Sequence, residues 1–63
     1  MKEGLKNATH VKKCFGREYM WVKIAELRDD CIVGIVDNIP ILEGSPRFGE
    51  EVTVLYDEVK DAL

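Results

Sequence analysis

The sequence has little of the chemistry on which metal sites and catalytic centres depend. It contains one histidine, His10, and two cysteines, Cys14 and Cys31, which are not spaced as metal ligands. A zinc site would need two good ligands beyond the thiols, and His10 supplies at most one of them. The chain also lacks a Gly-rich phosphate loop, a nucleophile elbow and a His-Glu zinc motif. We therefore predict a protein that is not an enzyme and that carries no metal or other cofactor.

Long apolar runs are missing as well. No stretch approaches the length of about 20 apolar residues that spans a membrane, and no run of signal-peptide type follows Lys2 and Lys6. Two cysteines without metal spacing are typical of apolar side chains buried in a reducing compartment, and a disulfide between neighbouring strands is the alternative. We expect a cytoplasmic protein with no membrane partner.

What the chain does contain is the composition of one small globular domain. It has 63 residues, of which 46% are hydrophobic and 33% are charged. A chain of this size buries only about 60% of its unfolded surface, so stability is limited and help from a partner chain is plausible. The expected partners are accordingly another protein or a second copy in a homodimer.

Charge is divided unevenly along the chain. Residues 1–28 carry seven basic and three acidic side chains, whereas residues 29–63 carry two basic and nine acidic ones. Cross-strand charge pairs, worth roughly 0.2–1 kcal/mol each, are the simplest explanation. The alternative is an acidic C-terminal surface that meets a basic partner or mimics nucleic acid.

The segment 19–27 organises the predicted fold. Met20, Val22 and Ile24 alternate with Tyr19, Trp21 and Lys23, which is the period of a strand with one packed face. We predict a mainly β domain, a four-stranded antiparallel meander curled toward an SH3-like half-barrel, with short helical turns at both termini. Its parts are a flexible or short helical N-terminus at 1–8, the sheet at 9–56 and a C-terminal turn at 57–63.

A tight hairpin precedes this strand. Gly16-Arg17 is a two-residue connection with glycine first, as a type II′ turn requires. Residues whose numbers sum to 33 then face one another, so that Lys12 lies opposite Trp21 on one face. Lys12 and Lys23 would flank the indole, a setting for a cation–π contact.

The second half of the sheet is predicted from its apolar runs and its turns. Residues 31–36 are apolar on both faces, which indicates the central strand, and Gly34 leaves room for a bulge or for a large neighbour such as Trp21. The segment 37–40 is a corner, and 43–50 is the longest loop, with Phe48 plugging the barrel end. The last strand covers 51–56.

With the strands placed, the chain resembles the YegJ-like domain-of-unknown-function family, a bacterial group of small domains. The resemblance extends from about Val11 to Ala62. Tyr19 stands where the family pattern usually has His, and Ala62 where it often has Trp. The resemblance supports the fold and implies no established activity. The segments that carry it are Val11-Lys12, Arg17-Glu18-Tyr19-Met20-Trp21-Val22, Gly34-Ile35-Val36-Asp37-Asn38-Ile39-Pro40, Phe48-Gly49-Glu50-Glu51-Val52-Thr53-Val54 and Asp57-Glu58-Val59-Lys60-Asp61.

The functional class predicted from these features is a protein-interaction or regulatory module of the immunity or inhibitor type. Aromatic residues are typical interface anchors, so the expected surface is formed by Lys12, Tyr19, Trp21 and Lys23. A second, loop-borne candidate consists of Asp37, Asn38 and Pro40, although Asn38 alone is also a common turn-former. A weak single-stranded nucleic-acid-binding barrel is the alternative, against which the overall acidity argues.

Overall fold

An open antiparallel sheet of five strands forms the domain. The computed structural model describes residues 3–63, and within them the only helical segments are two 3₁₀ turns, Glu3–Leu5 and Tyr56–Glu58. The order of strands across the sheet is β4-β3-β2-β1-β5. The prediction of a mainly β fold is confirmed. The strands are β1 (His10–Phe15), β2 (Glu18–Leu27), β3 (Cys31–Val36), β4 (Glu51–Leu55) and β5 (Asp61–Ala62).

The fifth strand corrects the predicted four-stranded meander. Residues 57–63 were expected to form one helical turn, but the 3₁₀ turn ends at Glu58 and β5 pairs antiparallel with β1. The Lys60 amide donates to the Lys12 carbonyl (2.8 Å), and the Leu63 amide donates to the His10 carbonyl (3.0 Å). A strand of two exposed residues shows no alternating pattern from which it could be predicted. Its stability comes from pairing with the otherwise unpaired edge of β1.

The two edge strands, β4 and β5, do not pair with each other, so the sheet is not closed into a barrel. They are nevertheless joined by only residues 56–60, three of which form the second 3₁₀ turn. A 3₁₀ turn rises only about 2 Å per residue, and a flat sheet of five strands is about 19 Å wide. The sheet therefore bends toward this turn. The finer expectation of an SH3-like half-barrel stays a prediction.

The β1–β2 hairpin has the predicted register in all six pairs, from His10 opposite Lys23 to Phe15 opposite Glu18. Gly16 has a φ of 69°, and no non-glycine residue among 3–63 has a positive φ, so Arg17 is not left-handed. Positive φ at the first central residue alone is the requirement of a type II′ turn. The short turn and the alternation of β2 were sufficient to fix this register from sequence.

The core lies on one face of the sheet, and the two 3₁₀ turns help to cover it. Leu5 precedes β1 and packs into the core, while Tyr56 and Val59 pack against it from the C-terminal side. Phe48, which was predicted to plug the end of the barrel, is 61% exposed, and these other residues pack against the core instead. The fully buried side chains are Val11, Met20, Val22, Ile32, Val36 and Val54.

The pairing of β2 with β3 places Val22 opposite Val36 and shifts register between Ile24 and Glu26. As predicted for a strand that is apolar on both faces, β3 lies inside the sheet between β4 and β2, and none of its residues is exposed. Because β5 adds beyond β1, the middle strand of the five is β2. A Cβ added to Gly34 would lie 2.5 Å from the Val22 Cγ1 atom and 2.5 Å from the Lys23 carbonyl oxygen. Gly34 therefore permits close approach of β2 and does not make room for Trp21.

Candidate functional site

The face of the sheet opposite the core, which we call the outer face, carries the four predicted surface residues. Lys12 lies opposite Trp21 in the ladder, and its Nζ atom is 5.0 Å from the centre of the indole ring. Tyr19 is 58% exposed, whereas Trp21 is half-buried. Lys23 is exposed on the same face but forms no cation–π contact within residues 3–63. Of the two lysines that were expected to flank the indole, only Lys12 forms a cation–π contact with it.

The loop-borne candidates meet the same strand. The Asp37 amide donates to the Trp21 carbonyl (2.9 Å), and the Trp21 amide donates to the Asn38 side-chain oxygen. Asn38 is consequently more than a turn-former, and its backbone is not left-handed. Pro40 is half-buried two residues further on. The structure therefore joins the two predicted surfaces into one region around Trp21.

A contact that the sequence analysis missed holds the next part of this loop. The Glu18 carboxylate accepts hydrogen bonds from the Ile41 amide (2.9 Å), the Leu42 amide (3.0 Å) and the Ser45 hydroxyl (2.8 Å). Together with the contact between Asn38 and Trp21, these bonds align residues 38–42 antiparallel to residues 18–21. The loop backbone is fixed at both ends of this stretch.

The consequence is a group of large apolar side chains that are ordered but exposed. Ile39 is 79% exposed and Ile41 is 88% exposed, and both lie in the stretch that runs beside Tyr19. Leu42 is also exposed. Because the Asn38 side chain is bonded to Trp21 and the Ile41 and Leu42 amides are bonded to Glu18, the stretch that carries these side chains is held at both ends. We call Tyr19, Ile39 and Ile41 the Tyr19 surface.

The Glu18 contact gives the loop a pH dependence. Hydrogen bonds from the Ile41 amide, the Leu42 amide and the Ser45 hydroxyl lower the Glu18 pKa below its ordinary value of 4.5. A lowered pKa in the folded state means that the contact stabilises the fold fully above the unfolded pKa and is lost as the pH falls through the folded pKa. In an NMR titration, we expect the amide signals of Ile41 and Leu42 to move together with a midpoint below 4.5.

Two variants distinguish protonation of Glu18 from other effects of low pH on the loop. Glu18→Gln should abolish the titration of the two amide signals and speed hydrogen exchange at them, because a neutral amide is a weaker acceptor than a carboxylate. Glu43→Gln removes an exposed carboxylate from the same loop and should leave the titration unchanged. A midpoint at or above 4.5 in the wild type would contradict the contact.

A second row of hydrogen bonds connects the loop with β1. Thr9 Oγ1 lies 2.9 Å from His10 Nδ1, and His10 Nε2 lies 2.8 Å from Asp37 Oδ2. These are the residue types of a hydroxyl nucleophile, a base and a carboxylate, but the hydroxyl is on the residue next to the histidine and the row is at the surface. Two clefts of the described chain, of about 370 and 380 Å³, are lined by other residues. The row fixes the beginning of the loop against β1.

The two cysteines are unpaired. Cys14 is half-buried on β1 and Cys31 is buried at the start of β3. The pKa of the Cys31 thiol is raised, mainly by burial and secondly by the hydrogen bond with Asp30. Within residues 3–63, no three His, Cys, Asp or Glu side chains are grouped in a way that would hold a metal ion.

The region around Trp21 therefore consists of a cation–π pair, a hydrogen-bonded loop and the Tyr19 surface. No helix in the described part of the chain has the length and apolar character needed to cross a membrane. Comparisons of the chain with protein-family models, with curated proteins and with solved structures find no match.

Proposed function

We propose that this domain is a non-enzymatic protein-interaction module of the regulatory, immunity or inhibitor type, and that it binds its partner through the Tyr19 surface. The observation that carries the proposal is the exposure of Tyr19, Ile39 and Ile41 on a backbone that hydrogen bonds hold in place. Exposed apolar groups that lie together mark interaction sites more often than isolated ones do.

The order of the loop supports this proposal on energetic grounds. A loop that must become ordered on binding loses conformational entropy, which reduces the affinity that its contacts provide. Here the Glu18 contact has already ordered Ile41 and Leu42. The apolar side chains are thus pre-organised to be buried by a partner.

The surroundings of the surface also suit a protein partner. Interfaces combine an apolar centre with a polar rim, and they are enriched in tyrosine and tryptophan. The Tyr19 surface lies beside half-buried Trp21, and Lys12 and Lys23 supply positive charge on the same face. Lys12 already covers one side of the indole at 5.0 Å, which leaves less of the ring for stacking with a nucleic-acid base.

We also propose the cytoplasm as the compartment and the YegJ-like family as the bacterial group to which the chain is related. The free thiols of Cys14 and Cys31 support a reducing compartment. The hydrogen bond between Trp21 and Asn38 supports the family proposal, because it joins in space two of the segments on which the resemblance depends.

The proposal is tested by affinity capture with four purified baits, the wild type and three variants. Tyr19→Ala and Ile41→Ala remove exposed side chains, so both variants should keep the cooperative unfolding of the wild type. A protein retained in stoichiometric amount by the wild type should be lost from both variants, and its Kd should rise at least about 30-fold if these residues are hot spots.

A matched control and the remaining outcomes distinguish the proposed surface from the alternatives. Glu43→Ala, in the same loop but outside the surface, should retain the partner. Equal retention by all baits, or capture of nothing by the wild type, would contradict the proposed surface. Capture of nucleic acid that is released steeply by salt would instead favour the alternative of a single-strand binder.

A further inference from the structure

The outer edge of β4 is a second exposed feature of the domain, separate from the Tyr19 surface. In the antiparallel ladder the Glu50 carbonyl accepts from the Val36 amide (2.9 Å), so the residues bonded to β3 are the alternate ones, Val52 and Val54. The backbone groups of Glu51, Thr53 and Leu55 therefore point away from the sheet. The Leu55 amide agrees with this assignment, because it donates to the Glu58 carboxylate (2.9 Å) and not to β3.

Much of this edge is open to a further strand. Within residues 3–63, β4 pairs only with β3, and the N–H and C=O groups of Glu51 and Thr53 face solvent. Edge strands are usually protected by proline, bulges or charge, and here the only charge in the strand is Glu51. The side chain of Leu55 is 49% exposed beside these groups. The edge therefore offers backbone partners together with an apolar contact.

Charge decides which kind of strand fits. Carboxylates stand at both ends of β4, with Glu50 and Glu51 at its start and Asp57 and Glu58 after its end. Glu58 is 3.7 Å from the Lys13 ammonium, and the Glu50 carboxylate accepts from the Arg47 amide, so only part of this charge is compensated. An incoming strand with positive side chains would be attracted at both ends of β4.

A second copy of the chain fits the same edge poorly. Symmetric antiparallel pairing of two β4 strands about Thr53 would place Glu51 of one copy opposite Leu55 of the other. Glu50 and Glu51 would then lie next to Asp57 and Glu58 of the second copy at each end. Like charges brought together in this way oppose association.

We propose that the outer edge of β4 binds an extended segment of a partner protein that carries lysine or arginine, and that this segment adds to the sheet as a sixth strand. Backbone hydrogen bonds to Glu51 and Thr53 supply affinity in this mode of recognition, and side-chain pockets supply selectivity. The site lies at the edge of the sheet, two strands away from β2, and it functions whether or not the Tyr19 surface binds a partner.

The test uses an alternating lysine–valine hexapeptide and a matched glutamate–valine hexapeptide as probes of the isotope-labelled domain. The lysine peptide should shift the amide signals of Glu51 and Thr53 and slow their exchange with solvent. It should bind at least about 10-fold more tightly than the glutamate peptide, with an affinity that falls as salt rises. Absence of binding, or equal binding of both peptides, would overturn the proposal.

Variants identify the edge as the site. Thr53→Pro removes one outward-facing amide, a change that edge strands tolerate, and should weaken binding of the lysine peptide at least 10-fold. The double substitution Glu50→Lys with Glu51→Lys should reverse the preference between the two peptides without a change in the backbone. Tyr19→Ala should leave peptide binding intact. Signal shifts at the Tyr19 surface, or concentration-dependent shifts at β4 without peptide, would reject the edge site or assign it to a second copy.

Discussion

Met20→Ala is expected to lower the free energy of unfolding by about 2–5 kcal/mol, the range for truncation of a fully buried side chain. Met20 has no exposed surface and is among the largest buried side chains of the core. A domain of 63 residues has in total roughly 3–9 kcal/mol of stability, if each residue contributes about 0.05–0.15 kcal/mol. The loss is therefore a large fraction of the total stability, and the unfolding midpoint of the variant should fall markedly. Urea denaturation followed by circular dichroism measures the loss.

Tyr19→Ala is the matched control, because Tyr19 precedes Met20 on the same strand and points to the opposite face. An exposed side chain away from the core changes stability by about 0.5 kcal/mol or less. The contrast between adjacent positions therefore tests which face of β2 is packed. Equal losses of stability in the two variants would show that the assignment of the core and outer faces is wrong.

The hairpin shows what a sequence of this kind predicts well. Its register follows from two local rules, the two-residue turn that begins with Gly16 and the alternation of β2, and neither depends on distant parts of the chain. Because one residue of slip would bury Tyr19 and expose Met20, the apolar pattern leaves a single arrangement. Local sequence signals were therefore sufficient to predict the register of the hairpin.

The features that were missed depend on contacts between distant residues. Glu18 and Ile41 are 23 positions apart, and nothing in the local sequence of either residue indicates their hydrogen bond. The edge strand β5 is likewise stabilised by its partner and not by its own two residues. Phe48 was predicted to be buried on the basis of its hydrophobicity alone, yet Tyr56 and Val59 take part in covering the core.

The candidate site was predicted in part for the same reason. Alternation along β2 is sufficient to place Tyr19, Trp21 and Lys23 on one face, and the hairpin adds Lys12. The position of the loop next to Tyr19 depends on Asn38 and Glu18, whose roles are visible only in three dimensions. As a result, the exposed isoleucines at 39 and 41, which contribute most of the apolar surface, were not among the predicted site residues.

Gly34→Ala is expected to destabilise the domain by about 1–3 kcal/mol, the usual cost of overpacking. The added Cβ would lie 2.5 Å from the Lys23 carbonyl oxygen, which is a backbone atom that moves only if β2 moves. Rotation of the Val22 side chain relieves the second close contact but not this one. Strands β2 and β3 must therefore separate, which weakens hydrogen bonds near the middle of the sheet. Thermal denaturation followed by Trp21 fluorescence measures the change.

Gly4→Ala distinguishes this packing effect from the general effect of replacing glycine. Gly4 has no atom within 4 Å of the position of an added Cβ, and it does not have a positive φ. At such a site alanine reduces the entropy of the unfolded chain and stabilises a protein by about 0.4–1 kcal/mol. The two substitutions should thus change stability in opposite directions. If Gly34→Ala were as stable as the wild type, β2 and β3 would not approach each other as closely at this position, and the close packing of Val22 against Gly34 would be wrong.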